Sequence, residues 1–249
     1  MKKLIALLLS LVMLLSLAAC GKDDTQKDDD DDKEKTSQTE EKGDKTTEPD
    51  DDNKKDPVIS DEITVENLMN YPESPEADFV VMDGKEGAKM LYTYLGNDEI
   101  VVIPETVNGV AITHIDGGMW ANKDPLRAIR LSDSVEYLDR WVFGNNENLE
   151  IVVFGSGMKG INSNSAGDAG AFQNCINLKQ VVLNDGLETI DGFAFAGCDS
   201  LMSIEIPASV TRIGFCAFLS MPEGFTIIGE AGSYAEQYAK ENNITFQAK

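Results

Sequence analysis

Three features of the sequence have the residue types for chemistry. Gly155-Ser-Gly157-Met-Lys-Gly160 spells G-x-G-x-x-G behind a strand-like run, a spacing that cradles a pyrophosphate when a helix comes next. The next residues are Ile161-Asn-Ser-Asn-Ser, which open no helix, so the glycines read as a turn. His114 is the single histidine, and it directly precedes an apolar position, which places it toward the surface. A metal or nucleophile site needs partners that nothing in the pattern brings near it. Cys175 and Cys198 stand 23 residues apart. They allow a disulfide between neighbouring chain turns or a ladder of small buried thiols, and Cys216, which makes three cysteines after Cys20, argues for packing. Neither G-x-S-x-G nor C-x-x-C occurs. The expectation is a non-enzymatic protein without a cofactor.

The elements around these residues begin with an export signal. Met1-Lys2-Lys3 precedes an apolar run from Leu4 to Ala18, the charge and length of a secretory segment. The run ends Leu17-Ala-Ala-Cys20-Gly21, which resembles the bacterial lipobox. That resemblance implies cleavage after residue 19 and a diacylglycerol on Cys20, and therefore a membrane partner through this lipid. Lys22 to Asp56 carries 16 acidic and 8 basic residues, with five aspartates from Asp28 to Asp32. So polar a stretch buries too little to offset its chain entropy. Residues 20–57 therefore read as a lipidated cysteine plus an acidic linker, and 58–249 as the folded domain. With the whole chain at −23, nucleic acid is excluded as a natural partner.

The domain is organised by a repeat. Leu178-x-x-Val181-x-Leu183 recurs as Leu201-x-x-Ile204-x-Ile206, and Leu126-x-x-Ile129-x-Leu131 as Leu149-x-x-Val152-x-Phe154, each 23 residues on. The step from Leu149 to Leu178 is 29, which assigns six extra residues to the loop Asn162 to Ala171. Two apolar columns persist: Ile115, Leu138, Ile161, Ile190, Ile213, and Trp120, Phe143, Phe172, Phe195, Phe218. No unit can bury its own apolar side, whereas stacked units can.

The run Leu201 to Phe218, LMSIEIPASVTRIGFCAF, resembles the BspA-type leucine-rich repeats of bacterial surface proteins. The fold expected is an α/β repeat solenoid of about 23-residue leucine-rich repeats with a parallel strand ladder. Residues 58–99 form an N-terminal strand cap, 100–222 the repeats and 223–249 a C-terminal helix cap. Ser233-Tyr-Ala-Glu236 is a capping box for that helix, with Tyr234 and Tyr238 placed to cover the last repeat.

Function is then sought on the outward strand positions, where Ile100, Val102, Arg130, Ile151, Val153 and Val182 form a strip, mostly apolar, expected to be open to a partner. The loop at 162–171 is the other contact candidate. The resemblance implies adhesion, with a protein or glycan on host or neighbouring cells as ligand, from a lipid-anchored position on the cell surface. A structural accessory of the envelope is the alternative. A solute-binding lipoprotein is a weaker one, because a continuous stack offers no cleft between lobes.

Overall fold

A computed structural model of the chain describes residues 62–84, 87–118, 120–122, 125–161 and 169–249. Cys20, the apolar leader and the acidic tract lie outside the described residues, as do positions 162–168 of the long loop.

The strands are short because each crosses one wall of one coil. One wall is a seven-stranded sheet. Its edge is an antiparallel hairpin of β1 (Phe79–Asp83) and β2 (Lys89–Tyr94), and β2 pairs in parallel with β6 (His114–Ile115). From there β8 (Tyr137–Leu138), β10 (Gly160–Ile161), β12 (Thr189–Ile190) and β14 (Arg212–Ile213) come in parallel order. The other wall begins with β3 (Ile100–Val102), β7 (Ala128–Arg130), β9 (Ile151–Val153) and β11 (Gln180–Val182). It resumes with β13 (Ser203–Glu205), β15 (Thr226–Gly229) and β16 (Thr245–Ala248). A small hairpin of β4 (Thr106–Val107) and β5 (Val110–Ala111) lies between the walls in sequence.

Register obeys the repeat. Val152 opposes Val181, and Ile161 opposes Ile190 across the insertion of six, so the extra residues are absorbed entirely in the loop. The third side of each coil carries turns. There the aromatic column stacks: ring centroids are 5.0 Å apart for Phe143–Phe172, 5.3 Å for Phe172–Phe195 and 5.6 Å for Phe195–Phe218. Tyr94 and Phe79 extend the stack at one end and Phe225 at the other. Both apolar columns are buried along their whole length. At about 25 cal/mol per Å², such a ladder of large side chains supplies most of the driving force for stacking.

Two polar devices tie coil to coil. Charged residues alternate in sign at the entry to the strands of the second wall: Glu99, Arg127, Glu150 and Lys179, with Arg127 to Glu150 and Lys179 to Glu150 both at 2.7 Å. In the turns, the Glu105 carboxylate accepts from the N–H groups of Asp133 and Ser134, and Asp133 accepts from Ser156 N–H. Gly155 and Gly157 sit here, where a Cβ would run into the carbonyls of Ser132 and Asp133 in the preceding coil. Their absent side chains are thus a packing requirement between coils.

At the far end, α2 (Tyr234–Glu241) has Ser233 as its N-cap, and Glu236 accepts from Gly232 N–H in return. Tyr238 is buried, whereas Tyr234 is exposed. Only Tyr238 therefore covers the last coil, entering the core together with Ala235 and Ala239 of the same helix.

Candidate functional site

The outward face of the second wall corrects one expectation. Ile100, Val102, Ala128, Ile151 and Val153 are buried, not open. They are covered by residues upstream of the repeats, a strap running through α1 (Val65–Met69). Thr64 caps this helix, its Oγ1 accepting from Asn67 N–H at 3.2 Å. Ile63 and Leu68 enter one apolar cluster with the five strand residues, and Val65 and Tyr71 pack at its margin. At the strap's downstream end, Ser74 N–H donates to the Val102 carbonyl at 2.9 Å, and Ser74 Oγ accepts from Val102 N–H at 3.1 Å. Those two bonds occupy the outer N–H and carbonyl of Val102 on the free edge of β3, the position where a solenoid sheet is otherwise open to stray pairing.

Arg130 lies beneath the strap, half-buried. Its Nη2 reaches the Tyr71 carbonyl at 3.5 Å, while its Nε is buried without a hydrogen-bond partner. Of the six residues in the expected strip, only Val182 is exposed, at 39%. Beyond it the outward positions turn polar: Gln180, Ser203 and Glu205 are all exposed.

The exposed half contains a seam. Every other adjacent pair of coils on this wall is hydrogen-bonded, but among the described residues no backbone hydrogen bond crosses from Gln180–Val182 to Ser203–Glu205. The inward residues beside the seam feel it. Val181 and Leu183 are only partly buried, while Val152, Phe154, Ile204 and Ile206 at equivalent positions are sealed. On the opposite wall β12 and β14 remain paired. The result is a stretch where two neighbouring strands lack ladder bonds, with Val181 and Leu183 partly open beside it and Gln180, Ser203 and Glu205 exposed around it. Such a surface suits recognition by area and hydrogen bonding. Nothing in the repeat period could have signalled it, since the 23-residue step is regular there.

The other residues singled out for chemistry are structural in their geometry. His114 is half-buried against Tyr137, with ring centroids 5.0 Å apart, and its Nδ1 lies 2.9 Å from Thr113 Oγ1. Burial lowers its pKa against the opposing pull of Glu136 and Asp139. Among the described residues no group of three His, Cys, Asp or Glu is placed to hold a metal. Cys175 and Cys198 are free and buried. Cys175 Sγ donates to the Phe143 carbonyl at 3.1 Å, and Cys198 Sγ to the Phe172 carbonyl at 3.3 Å. Asn146 does the same work one coil earlier, its Nδ2 reaching the carbonyls of Trp120 at 2.7 Å and Phe143 at 2.8 Å. Burial pushes the Cys175 thiol up to about 12, which favours the neutral thiol over the thiolate. Cys216 departs from the packed position expected of it. It is half-exposed with left-handed backbone, as are Trp141 and Phe193 at the same repeat position.

Comparison with known proteins agrees with this geometry. Residues 105–169 and 168–239, more than half of the chain, match the family model of the BspA-type leucine-rich repeat region in six copies. A leucine-rich repeat protein of T. pallidum superposes with a TM-score of 0.55 at 20% identity, over 63% of this chain and 71% of that one. A leucine-rich repeat protein from Bacteroides ovatus gives 0.46 at 24% identity, over 61% of this chain and 45% of the other. The pneumococcal vaccine antigen PcpA gives 0.43 at 15%, over 62% and 48%. The chain thus spans about half the length of the last two. No curated protein matches it. Among the described residues no helix is long and apolar enough to cross a membrane. With its repeat register, paired walls and matched family model, the chain belongs to the BspA-type leucine-rich repeat family.

Proposed function

We propose that this protein is a non-enzymatic binding module, held at the cell surface by a lipid on Cys20, that recognises a protein or glycan through the uncovered half of its strand face. The observation that carries the site is the division of that face. The chain's own strap covers coils one to three, where the outward residues are apolar, and leaves Gln180, Val182, Ser203 and Glu205 exposed around the seam. Apart from Arg130 under the strap and Val182 outside it, the covered side chains are apolar and the open ones polar, which suits a ligand that arrives hydrated. Family membership supports a surface role only by analogy.

The test is binding of the full chain to an array of matrix proteins and glycans, beside a Val182→Glu/Ser203→Arg variant and a Phe215→Ser control. Phe215 is 80% exposed and lies away from the strand face. Saturable binding lost in the strand variant and kept in the control is the expected result. Binding that survives Val182→Glu/Ser203→Arg would remove the site from this face. The anchor is tested separately: a clickable fatty acid should label the wild type and not Cys20→Ala.

A further inference from the structure

We propose that residues 62–74 form a strap released by tension on the N-terminus, which uncovers the apolar half of the strand face while the solenoid core stays folded. The proposal rests on the reading that the chain is anchored at its N-terminal end. A load between that anchor and a ligand bound near the seam comes from the N-terminal side of residue 62, and among the described residues the strap is the first element along the chain.

Three features make the strap the weak link. First, its apolar cluster is separate from the main core. Ile63, Leu68, Ile100, Val102, Ala128, Ile151 and Val153 form one buried group, while Val101, Ile129, Val152 and the aromatic stack form another on the far side of the strands. Peeling the strap opens the first and leaves the second whole. Second, the ties are strung out along the chain: Ile63 and Leu68 are buried, Tyr71 meets Arg130 at 3.5 Å, and Ser74 makes its paired bonds with Val102 at the downstream end. Force applied upstream therefore breaks these ties one at a time. Third, α1 has five residues, too short to persist as a helix once lifted. The surface then uncovered is Ile100, Val102, Ala128, Ile151 and Val153, a contiguous apolar patch absent from the resting molecule.

Single-molecule pulling on the full chain, with handles at the two termini, tests the proposal. The expected trace shows a low-force, reversible step before core unfolding, with a length gain of up to roughly 40 Å for the freed strap. In Leu68→Gln the step should fall to a lower force or vanish, with the core event unchanged. Moving the upstream handle to Glu76, past the strap, should abolish it. A single unfolding event in the wild type, or a first step indifferent to both changes, overturns the proposal. The outcome is independent of the anchor. Loss of fatty-acid labelling dependence on Cys20 would overturn the anchor and leave a measured strap release standing, and the reverse also holds.

Discussion

Val153 and Val182 occupy the same repeat position in adjacent coils and oppose each other in register. They differ only in what lies above them. Val153 is 4% exposed beneath the strap, and Val182 is 39% exposed beside the seam. Val153→Glu loses the burial of a valine, about 1.5–3 kcal/mol, and places a carboxyl in an apolar cluster without a partner, which adds about 1–3 kcal/mol. The loss has a ceiling, because the domain can instead let the strap go. The strap's hold comes mainly from Ile63 and Leu68, about 2 kcal/mol each before the cost of ordering the segment. We therefore expect Val153→Glu to lose about 3 kcal/mol in urea denaturation monitored by tryptophan fluorescence, since Trp120 sits inside the aromatic stack. Hydrogen exchange should show the amides of 63–74 unprotected, while those of Ile129 and Val152 stay protected, lowered by no more than the global loss. Val182→Glu should stay within about 0.5 kcal/mol of wild type. Equal losses for the two variants, or a strap that stays protected in Val153→Glu, would refute the reasoning that cover alone separates them.

The same geometry sets three other expectations. In native-state hydrogen exchange, the amides of Val181 and Leu183 should exchange at least about 100-fold faster than those of Val152 and Phe154, since only the latter pair have partners in the next coil; equal protection would close the seam. Burial pushes the Glu150 carboxyl up, but hydrogen bonds from Lys179 and Arg127 outweigh it and hold its pKa below the usual value. A depressed carboxylate contributes stability above its unfolded pKa and loses it as pH falls through the folded one. Glu150→Gln should thus cost about 1 kcal/mol near neutrality and progressively less below about pH 4.5, and a pH-independent cost would assign the effect to packing. Alkylation of the native protein should modify the half-exposed Cys216 before Cys175 or Cys198, read by peptide mass; prompt labelling of either buried thiol would contradict their placement.

The repeat was legible because burial inside the solenoid is periodic. The columns through Ile115 and Trp120 hold large apolar residues in step, and every member is buried. The same periodicity says nothing about what covers the outside of a strand. Ile100, Val102, Ile151 and Val153 alternate with inward residues as exposed β-branched residues would, and their cover comes from a segment outside the repeat. A signal did exist. Arg130 apart, outward positions are apolar through coil three, and Val182 apart they become Gln180, Ser203 and Glu205 afterwards, while Ile63 and Leu68 lie just upstream, flanking Thr64 as a helix cap. Joining the two observations would have located the strap. The left-handed backbone at Trp141, Phe193 and Cys216 was less accessible, because among the left-handed members of that column only Gly118 announces it by type.

The alternating charges of Glu99, Arg127, Glu150 and Lys179 also bear on how the chain avoids misassembly. Coils built on one period are nearly interchangeable, so a folding chain can omit one and stack coil upon next-but-one with its apolar columns still aligned. Hydrophobic burial alone does not penalise that error strongly. The charge order does: a skipped coil would set Glu99 against Glu150, or Arg127 against Lys179, like against like at a spacing where every native neighbour attracts. A row of surface ion pairs that adds little to stability thereby acts as a parity check on the sequence of coils.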